Sequence, residues 1–517
     1  MTPYSLIFLY MGRRGIYFSL GHLDPRMRQI LTPVAPAEGN HQVASEWRIA
    51  FSRGTAVYRM RQAVLAVVVA VTLLALELGT LPPAQARPEP MPVKYPSDRD
   101  YRPVVLLHGA YGARLREKGS RREIWPGPPT NFVYSRFTAL ALAIDSPSLH
   151  PSTNGVEAYA LVDGYGGVHS IRPIEKFLED SAGYVAGVPG ENSRPGERRY
   201  YTFIYDWRRD LVELAADLDG YIDQIRRDYS DPDLKVDIVA YSSGGLLVRY
   251  FLLYGSRDVL DSEIFRPNHQ GAAKTRRVVL VGVPNTGSTT ALHMFVNGRR
   301  FGGAIIKSDI FATMPAAYQV LPHPDREWIV TLDGQTKNRD LYSTQTWREF
   351  KWSIYDPKVR KRIRRRLDPG IDGERYLQRF EQYFAHHLKR AQRFHRAISV
   401  GGPHSSVDYA IFGGDCKPTS ARYLLQRVRG RVKMRRLPSQ IDDRIPRVDY
   451  AGLLLEPGDG RVTQSSLLAV DVPQPRMMPA ARTSLACVKH KHLTTSPAFQ
   501  QQLENTLFSQ EARRPTP

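Results

Sequence analysis

Short apolar runs alternate with amphipathic stretches along much of this 517-residue chain. The amphipathic, helix-like stretches are 211–229 and 243–255, and the apolar runs are 103–107, 201–207, 236–240, 278–284 and 453–457. Apolar strands separated by amphipathic helices are typical of a parallel sheet with helices on both faces. The pattern therefore predicts an α/β fold with a mostly parallel central sheet.

The alternation stops between residues 288 and 445. This region is rich in Arg, Tyr and Trp, and it contains a long helical pattern at 376–398. Because ligands of open α/β sheets bind beyond the C-terminal ends of the strands, we interpret 288–445 as a large, mainly helical cap over that edge. The core then comprises 87–287 and 446–509, and 510–517 is expected to be a disordered tail.

Residues 60–86 have the layout of a secretory signal peptide. A basic Arg61 precedes an apolar run, and the tripeptide Ala-Gln-Ala that ends at Ala86 has the form of a cleavage site. We therefore expect export to the periplasm, the cell envelope or the exterior after cleavage near Ala86, with an uncleaved membrane anchor as the alternative. Because signal peptides stand at the N-terminus, Met60 is the expected start and 1–59 a doubtful upstream extension.

The chain has two cysteines, Cys416 and Cys487. In an exported protein they predict one disulfide, and two buried free thiols are the alternative. A bridge between them would tie the middle of the chain to its C-terminal part.

The charge balance of the chain is strongly basic. The formal net charge is +21, which favours contact with anionic surfaces. Neither a zinc-finger spacing nor the aromatic signature of an RNA-binding sheet is present in the sequence, so nucleic acid is not an expected partner. The run KVRKRIRRR at 358–366 is either a solvated helix face or a docking element for an anionic membrane surface.

The segment VDIVAYSSGGLLVRY has two adjacent serines where a predicted strand ends. A nucleophile elbow holds its serine on a sharp strand-to-helix turn, which requires small residues two positions before and two positions after it. Ser242 has Ala240 and Gly244 at these positions. Ser243 would place Tyr241 at a crowded one. Ser242 is therefore the candidate nucleophile, and a plain Ser/Gly turn is the alternative.

Two backbone N–H groups are candidates for an oxyanion hole. Ser243 follows the candidate nucleophile at the start of a predicted helix. The segment LLHGAYG ends an early strand in a glycine-containing turn, where Ala110 offers a second donor. Read alone, this segment is an ordinary glycine turn.

Two later segments supply candidates for the other members of a catalytic triad. Asp459 lies between two glycines after the run 453–457, a position that is also common in ordinary turns. The segment CVKHKHLTTSPAF contains His490 and His492, and either imidazole fits the chemistry. Ser, Asp, His is the chain order of the α/β-hydrolases. A metal site is not expected, since no acidic or thiol cluster is near the histidines in sequence, and no cofactor is predicted.

With these residues in place, the chain resembles the lecithin:cholesterol acyltransferase-like family of α/β-hydrolases, from about residue 100 to 505. The matched motifs are HGAYG at 108–112, YDWR at 205–208, GVPNTG at 282–287, MPAAYQVLP at 314–322 and GDGRV at 458–462. The family's closing pattern of His-x-x-Leu and a later Pro fits His490, Leu493 and Pro497. The resemblance therefore favours His490 over His492.

The resemblance implies an α/β-hydrolase fold and a serine-dependent acyl-ester hydrolase or O-acyltransferase. Its substrate would be a lipid ester of phospholipid or acylglycerol type, attacked through an acyl-enzyme at Ser242. Tyr111, Trp125 and Tyr241 are then substrate or lid candidates, and packing on the core is the alternative for Trp125. Tyr241 stands where the family has histidine, and Ser243 where it has a larger apolar residue.

Two rival functions are compatible with the same residues. One is a carboxylesterase for small or polymeric esters, which would use the same triad. The other is a non-catalytic envelope protein that binds polyanions on a hydrolase scaffold.

Overall fold

The computed structural model describes residues 7–12, 15–20, 102–144, 148–153, 155–164, 170–193, 197–337, 339–400, 407–472 and 482–508. The chain divides into two units, residues 1–89 and 90–517. In the first unit, Ile7–Gly12 and Gly15–Leu20 form an antiparallel hairpin. All further elements belong to the second unit.

Three predictions about the chain ends fall outside the described residues and stay predictions. They are the signal peptide at 60–86, the start at Met60 and the tail at 510–517. Among the helices that the structure does describe, none has the length and apolar character needed to span a bilayer.

Seven strands form the central sheet. In chain order they are β1 Val104–Leu107, β2 Val185–Ala186, β3 Arg199–Phe203, β4 Val236–Tyr241, β5 Thr275–Val281, β6 Asp408–Gly414 and β7 Arg482–Ala486. Their spatial order is β7-β6-β5-β4-β1-β3-β2, and every neighbouring pair is parallel. The sheet confirms the predicted parallel architecture.

The helices lie between and beyond these strands. They are α1 Asn131–Tyr134, α2 Arg172–Ala182, α3 Leu211–Asp228, α4 Gly244–Tyr254, α5 Gln270–Ala273, α6 Thr289–Asn297, α7 Ser308–Phe311, α8 Pro315–Gln319, α9 Thr344–Phe350, α10 Pro357–Arg364, α11 Gly373–Ser399, α12 Tyr450–Leu454, α13 Gln464–Leu468 and α14 Pro497–Phe508. Short 3₁₀ helices are Thr138–Leu140, Ser353–Tyr355, Pro438–Gln440 and His490–Thr495.

Among the described residues of the second unit, two three-stranded and two two-stranded sheets accompany the central sheet. Their strands are Ala113–Glu117 with Glu123–Trp125 and Val156–Leu161, Arg299–Phe301 with Ala304–Ile306, Tyr423–Val428 with Ile329–Val330 and Arg431–Arg435, and Thr419–Ser420 with Leu455–Glu456.

Strand β1 shows why the sheet strands are apolar without alternation. Successive side chains of a strand point to opposite faces of its sheet. Val105 and Leu107 pack in one apolar cluster with α3 and α4, whereas Val104 and Leu106 pack in another with α2 and α14. Both faces are therefore covered by helices. A parallel sheet so covered, with the serine-bearing β4 at its centre, is the α/β-hydrolase fold.

The helical pattern at 376–398 is confirmed as α11. Asp372 caps its start by accepting two backbone N–H groups. The first part of α11 packs with α6 and α9 in a separate apolar cluster, while its last turns join the core cluster. There the Tyr254 hydroxyl donates to the carbonyl oxygen of Ala397 at 2.8 Å. This helix therefore joins the inserted region to the core.

The apolar run 453–457 is not a strand of the central sheet, contrary to the prediction. Asp449 accepts two backbone N–H groups and begins α12, so the first leucines of the run are helical. Tyr450 and Leu454, one helical turn apart, are buried in a small apolar cluster. Only Leu455–Glu456 is extended, and it lies outside the central sheet. The helix N-cap Asp449, which lies upstream of the run, determines the structure here, and the apolar run alone does not predict it.

The range predicted as a cap, 288–445, contains one strand of the core. Strand β6 lies within it and pairs with β5 and β7. All but the first of its residues are buried, but its apolar centre, YAIF, is only four residues long. Such a short run is hard to distinguish from a buried helix segment. After β5 the chain therefore leaves the sheet twice, between β5 and β6 and again between β6 and β7.

Candidate active site

Ser242 lies between β4 and α4 on a turn with a left-handed backbone. Its φ is +55°, a conformation that is costly for most residues and typical of a nucleophile elbow. Ala240 and Gly244 flank it at the two crowded positions, and a Cβ at Gly244 would clash with the carbonyl oxygen of His108. The turn therefore requires the small residues that surround Ser242 in the sequence.

The structure brings Ser242, Asp459 and His490 together. Nε2 of His490 lies 3.1 Å from Oγ of Ser242, and Nδ1 of His490 lies 2.7 Å from Oδ2 of Asp459. His490 and Asp459 are only 4% and 2% exposed. In this geometry the imidazole can take the serine proton while the carboxylate stabilises the resulting cation.

Backbone donors hold the Asp459 carboxylate in place. Its Oδ1 accepts the N–H of Arg461 at 2.9 Å and the N–H of Val462 at 2.8 Å, so Oδ2 can face the imidazole. The N–H of His490 also donates to the carbonyl oxygen of Asp459 at 2.8 Å. The turn around Asp459 thus positions both the carboxylate and the histidine backbone.

Asp459 reaches the C-terminal edge of the sheet although no sheet strand leads directly into it. Gly414 ends β6, and a Cβ at Gly414 would lie 2.7 Å from the Cβ of Asp459. The excursion after β6 therefore returns to the end of that strand. The predicted position of the carboxylate at the sheet edge holds, but the strand that supports it is β6.

Cys416 and Cys487 form a disulfide, with their Cα atoms 5.0 Å apart. Cys416 lies two residues after the end of β6, and Cys487 follows β7 directly. The bond therefore joins the ends of the two strands beside which Asp459 and His490 lie.

The imidazole that faces Ser242 belongs to His490 and not to His492. Both residues lie in the 3₁₀ helix His490–Thr495, where side chains two positions apart point in different directions. His492 is exposed to solvent. His490 is held at the site, because the hydroxyl of Tyr241 donates to its carbonyl oxygen at 2.9 Å. In the described part of the chain, no group of three or more His, Cys, Asp or Glu side chains is placed to hold a metal ion.

Both predicted oxyanion donors are next to Ser242. A Cβ at Gly109 would lie 2.7 Å from the Cβ of Ser242, so the turn at 108–112 packs directly against the nucleophile candidate. The N–H of Ala110 donates to Oγ of Ser243 at 2.9 Å. An oxyanion that uses Ala110 must therefore displace the Ser243 hydroxyl. The sequence reasoning missed this hydrogen bond, because it considered only the backbone of Ser243.

The YDWR motif supports the turn at 108–112. Tyr205 stacks on His108 with ring centroids 4.0 Å apart and donates its hydroxyl to the carbonyl oxygen of His108. Trp207 donates from Nε1 to the carbonyl oxygen of Ala113 at 3.2 Å. Burial lowers the pKa of His108 to about 4, so this ring is neutral near pH 7. These contacts fix the backbone that carries a predicted oxyanion donor.

A cavity of about 90 Å³ lies beside Ser242 and His490. Tyr111 and Tyr241 line it, which keeps both as candidates for substrate contact. The wall opposite the sheet edge comes from α6 to α8 and is mainly apolar, with Ala291, Met294, Phe311, Met314, Ala317 and Val320. Several of these residues belong to the segment 314–322 that carries the family resemblance.

Trp125 is a packed core residue and not a lid residue. Its side chain is fully buried, and its Nε1 donates to the carbonyl oxygen of Tyr111 at 3.0 Å. Its ring lies 5.1 Å from that of Phe137 and 5.2 Å from that of Phe301. Because both its polar and its apolar parts are satisfied inside the protein, Trp125 supports the cavity wall from behind.

Two arginines, Arg299 and Arg461, also line the cavity, and the sequence reasoning assigned them no role. Arg299 begins a short hairpin far from every catalytic motif, and no signal in the sequence marks it. Arg461 lies in the GDGRV motif, two residues after Asp459. That closeness to the candidate triad is the one signal that identifies a site arginine.

The basic run at 358–366 is largely paired with acids. It comprises α10 from its second residue onward and the two residues that follow the helix. The pairs are Arg360 with Glu381, Arg364 with Glu374, and both Arg362 and Arg366 with the buried Asp309. These contacts favour the interpretation of the run as a structural helix face, and docking to an anionic membrane stays a prediction.

The sheet order, the elbow and the Ser–His–Asp arrangement together define a chain with the fold and candidate site of an α/β-hydrolase. No family model and no curated protein matches the chain. A chain of the Tle4–Tli4 complex is similar in structure at 15% identity, with 79% of this chain and 98% of the other covered and a TM-score of 0.49.

Two lipases are also similar in structure. The mature form of lipase BlEst2 from Bacillus licheniformis is 11% identical, with 81% of this chain and 96% of the lipase covered and a TM-score of 0.30. Lipase 1 from Pelosinus fermentans is 11% identical, with 80% and 100% covered and a TM-score of 0.32. The α/β-hydrolase fold of this chain follows from its own parallel sheet and from the turn at Ser242.

Proposed function

We propose that the protein is a serine-dependent acyl-ester hydrolase that acts on lipid esters through an acyl-enzyme at Ser242. The observation that carries the proposal is the hydrogen-bonded series from Ser242 through His490 to Asp459 beside a mainly apolar cavity. Nucleophile, base and orienting carboxylate are the three groups that acyl transfer by a serine requires.

In the proposed reaction, Oγ of Ser242 attacks the ester carbonyl while Nε2 of His490 takes its proton. Asp459 stabilises the imidazolium, and the N–H groups of Ala110 and Ser243 hold the oxyanion. The C–O bond to the leaving alcohol then breaks as His490 returns the proton to that alcohol. Water, activated by His490, attacks the acyl-enzyme and releases the free acid.

The lipid part of the proposal is supported by the apolar wall and by the resemblance in motifs to the lecithin:cholesterol acyltransferase-like family. The side chains of Met294, Phe311, Met314 and Val320 suit an acyl chain better than a polar group. The same resemblance extends the proposal to acyl transfer, in which a second alcohol takes the place of water.

Lipid mass spectrometry tests this function. Purified protein is incubated with mixed phospholipids and acylglycerols, with and without added long-chain alcohols, beside Ser242→Ala as the control. Free fatty acid alone indicates hydrolysis, and new esters indicate transfer. Turnover of short-chain esters without any turnover of lipids would instead support a carboxylesterase. Turnover by Ser242→Ala equal to that of the wild type would refute the acyl-enzyme.

A further inference from the structure

The cavity beside the candidate triad is lined by two arginines, and no carboxylate of the described residues pairs with either. Arg299 and Arg461 both line it together with Ser242 and His490. Throughout the described residues, neither guanidinium forms a salt bridge. Three other buried arginines are paired with acids: Arg208 with Asp206 at 2.7 Å, Arg326 with Asp471 at 2.8 Å and Arg390 with Asp210 at 2.5 Å. The buried Arg249 instead donates to the backbone carbonyl oxygens of Asn285 at 2.9 Å and Ile398 at 2.8 Å.

Arg299 is held by aromatic rings rather than by acids. Its guanidinium carbon lies 4.8 Å from the centre of the Tyr111 ring and 4.7 Å from the centre of the Phe301 ring. Its Nε is buried and has no hydrogen-bond partner. Burial, and next the charge of Arg461, lower the pKa of Arg299 to about 10, so the group still carries its charge at pH 7. A buried N–H donor without a hydrogen-bond partner and a charge without a counterion both cost free energy. This arrangement indicates that a bound ligand supplies the acceptor and the negative charge.

Arg461 is fixed at its backbone, and its side chain reaches the same cavity. Its N–H donates to the Asp459 carboxylate at 2.9 Å, and its carbonyl oxygen accepts the hydroxyl of Ser288 at 3.0 Å. Burial raises the pKa of Tyr111, and the charges of Arg299 and then Arg461 oppose that rise. Both cations therefore act on the same phenol at the cavity wall. Both arginines line the cavity that Ser242 also lines.

We propose that Arg299 and Arg461 form a subsite for an oxyanion, a phosphate or a carboxylate, that the ester substrate carries near its scissile bond. Two guanidinium groups present several N–H donors to the oxygens of one anion, a geometry suited to phosphate and carboxylate. The inference rests on the proposed ester hydrolysis and adds a substrate class, because it makes charged acyl esters better substrates than neutral ones. An apolar wall for the acyl chain and a cationic pair for the anion then share one cavity.

Matched substrates test the subsite. Dioleoylglycerol, its hemisuccinate and dioleoylphosphatidylglycerol carry the same acyl chains and differ in the charge beside the ester. We expect the wild type to show a kcat/KM at least about tenfold higher for one or both anionic esters than for dioleoylglycerol. The advantage should fall as salt is added, because ions screen the attraction. The anionic ester with the larger increase in kcat/KM over dioleoylglycerol shows whether the subsite prefers a phosphate or a carboxylate.

The variants are Arg299→Gln, Arg461→Gln and the double variant, with Arg300→Gln as the matched control on an exposed neighbour. We expect each single variant to raise KM for the anionic ester about tenfold more than KM for dioleoylglycerol, and the double variant to abolish the preference. Arg299→Lys, which keeps a positive charge over the rings of Tyr111 and Phe301, should retain part of the preference for anionic esters. Equal losses on charged and neutral esters, or no preference in the wild type, would overturn the subsite.

A binding measurement separates failure of the subsite from failure of the proposed function. Calorimetric titration with inorganic phosphate should show binding to the wild type and to Arg300→Gln that the double variant lacks. If no ester is turned over but this difference is present, the hydrolase proposal fails and the anion subsite stands. If esters are turned over and phosphate binds the wild type and the double variant alike, the subsite fails alone.

Discussion

The edge of the central sheet and the cavity wall that faces it are built in different ways. At the sheet edge, backbone geometry fixes the candidate catalytic groups: a left-handed turn carries Ser242, and two N–H donors hold Asp459. The facing wall is made of side chains from the short helices α6 to α8. Few residues fit a strained turn, whereas many apolar residues fit a wall. We therefore expect single substitutions at the edge to abolish chemistry and those at the wall to change substrate choice.

The two regions also treat charge differently. At the sheet edge, the Asp459 carboxylate has three partners, namely two backbone N–H groups and the His490 imidazole. At the wall, Arg299 has aromatic neighbours and no acid among the described residues. A compensated charge suits a group that must keep one orientation through every turnover. A charge without a counterion is available to bind an anionic ligand.

The largest expected effect breaks the sheet edge. His490→Ala removes the base that faces Ser242, and we expect kcat to fall by about four orders of magnitude or more while the protein stays folded. The control is His492→Ala, whose side chain is exposed and should leave kcat within about twofold. Steady-state kinetics on one ester, with circular dichroism of both variants, measures the difference. Equal losses in the two variants would show that the base is misassigned.

The next largest effect, on stability, concerns the ion pair of Arg390 and Asp210, which joins the inserted region to the core. Arg390 of α11 lies 2.5 Å from Asp210, which caps α3. Burial tends to raise the pKa of Asp210, but Arg390 and hydrogen bonds outweigh it, and the net pKa lies below its ordinary value. The pair therefore stabilises the fold fully above the unfolded pKa of about 3.9 and loses this contribution as pH falls through the folded value.

Arg390→Met should accordingly lower the free energy of unfolding by about 3–5 kcal/mol at pH 7. In the variant, burial without the arginine charge raises the pKa of Asp210 relative to the wild type, so the loss should shrink as the carboxyl becomes protonated on acidification. Urea unfolding at pH 7 and at mildly acidic pH tests the sign. Arg209→Met, which removes partly exposed pairs with two acids of α3, is the control and should cost about 1 kcal/mol or less. A loss at Arg390 that does not depend on pH would contradict the account.

A smaller effect is expected from the disulfide between the strand ends. Cys416→Ser with Cys487→Ser should reduce the free energy of unfolding by about 2–4 kcal/mol. Because the bond joins the strand ends beside Asp459 and His490, kcat should fall with it, whereas KM for dioleoylglycerol should change less. Denaturant unfolding and kinetics on the double variant measure both quantities. A fall in stability without any change in kcat would separate the disulfide from the triad.

The smallest effect concerns the hydroxyl beside the oxyanion donor. In Ser243→Ala the N–H of Ala110 loses its partner at Oγ and becomes available to an oxyanion. Since a hydrogen bond contributes about 0.5–1.5 kcal/mol net, we expect kcat to rise about two- to tenfold. Single-turnover kinetics of acyl-enzyme formation measures it most directly. A fall in the rate would mean that the hydroxyl itself donates to the oxyanion.

The sheet edge was predictable from sequence to the extent that local backbone rules govern it. The small residues around Ser242 follow from the crowding of one turn, and the order of serine, aspartate and histidine narrows the remaining choices. The support of Asp459 was not predictable from the same segment. The run before it forms a capped helix, and the strand that meets it, β6, lies more than forty residues upstream.

The wall was less predictable, because its residues meet only through long-range packing. Trp125 is amphipathic and suits either a lid or a core, and only its neighbours Phe137 and Phe301 decide for the core. Arg299 carries no local signal. The hydrogen bond between Ala110 and Ser243 joins residues 133 positions apart, so no segment of the sequence displays it.

Covalent labelling of the serine tests the central claim most directly. The intact protein is treated with a long-chain fluorophosphonate, and the modified peptide is mapped by mass spectrometry beside Ser242→Ala and Ser243→Ala. The account predicts one adduct, on Ser242, that His490→Ala slows strongly and Ser243→Ala does not prevent. An adduct on Ser243, or none on a folded wild-type protein, would contradict it.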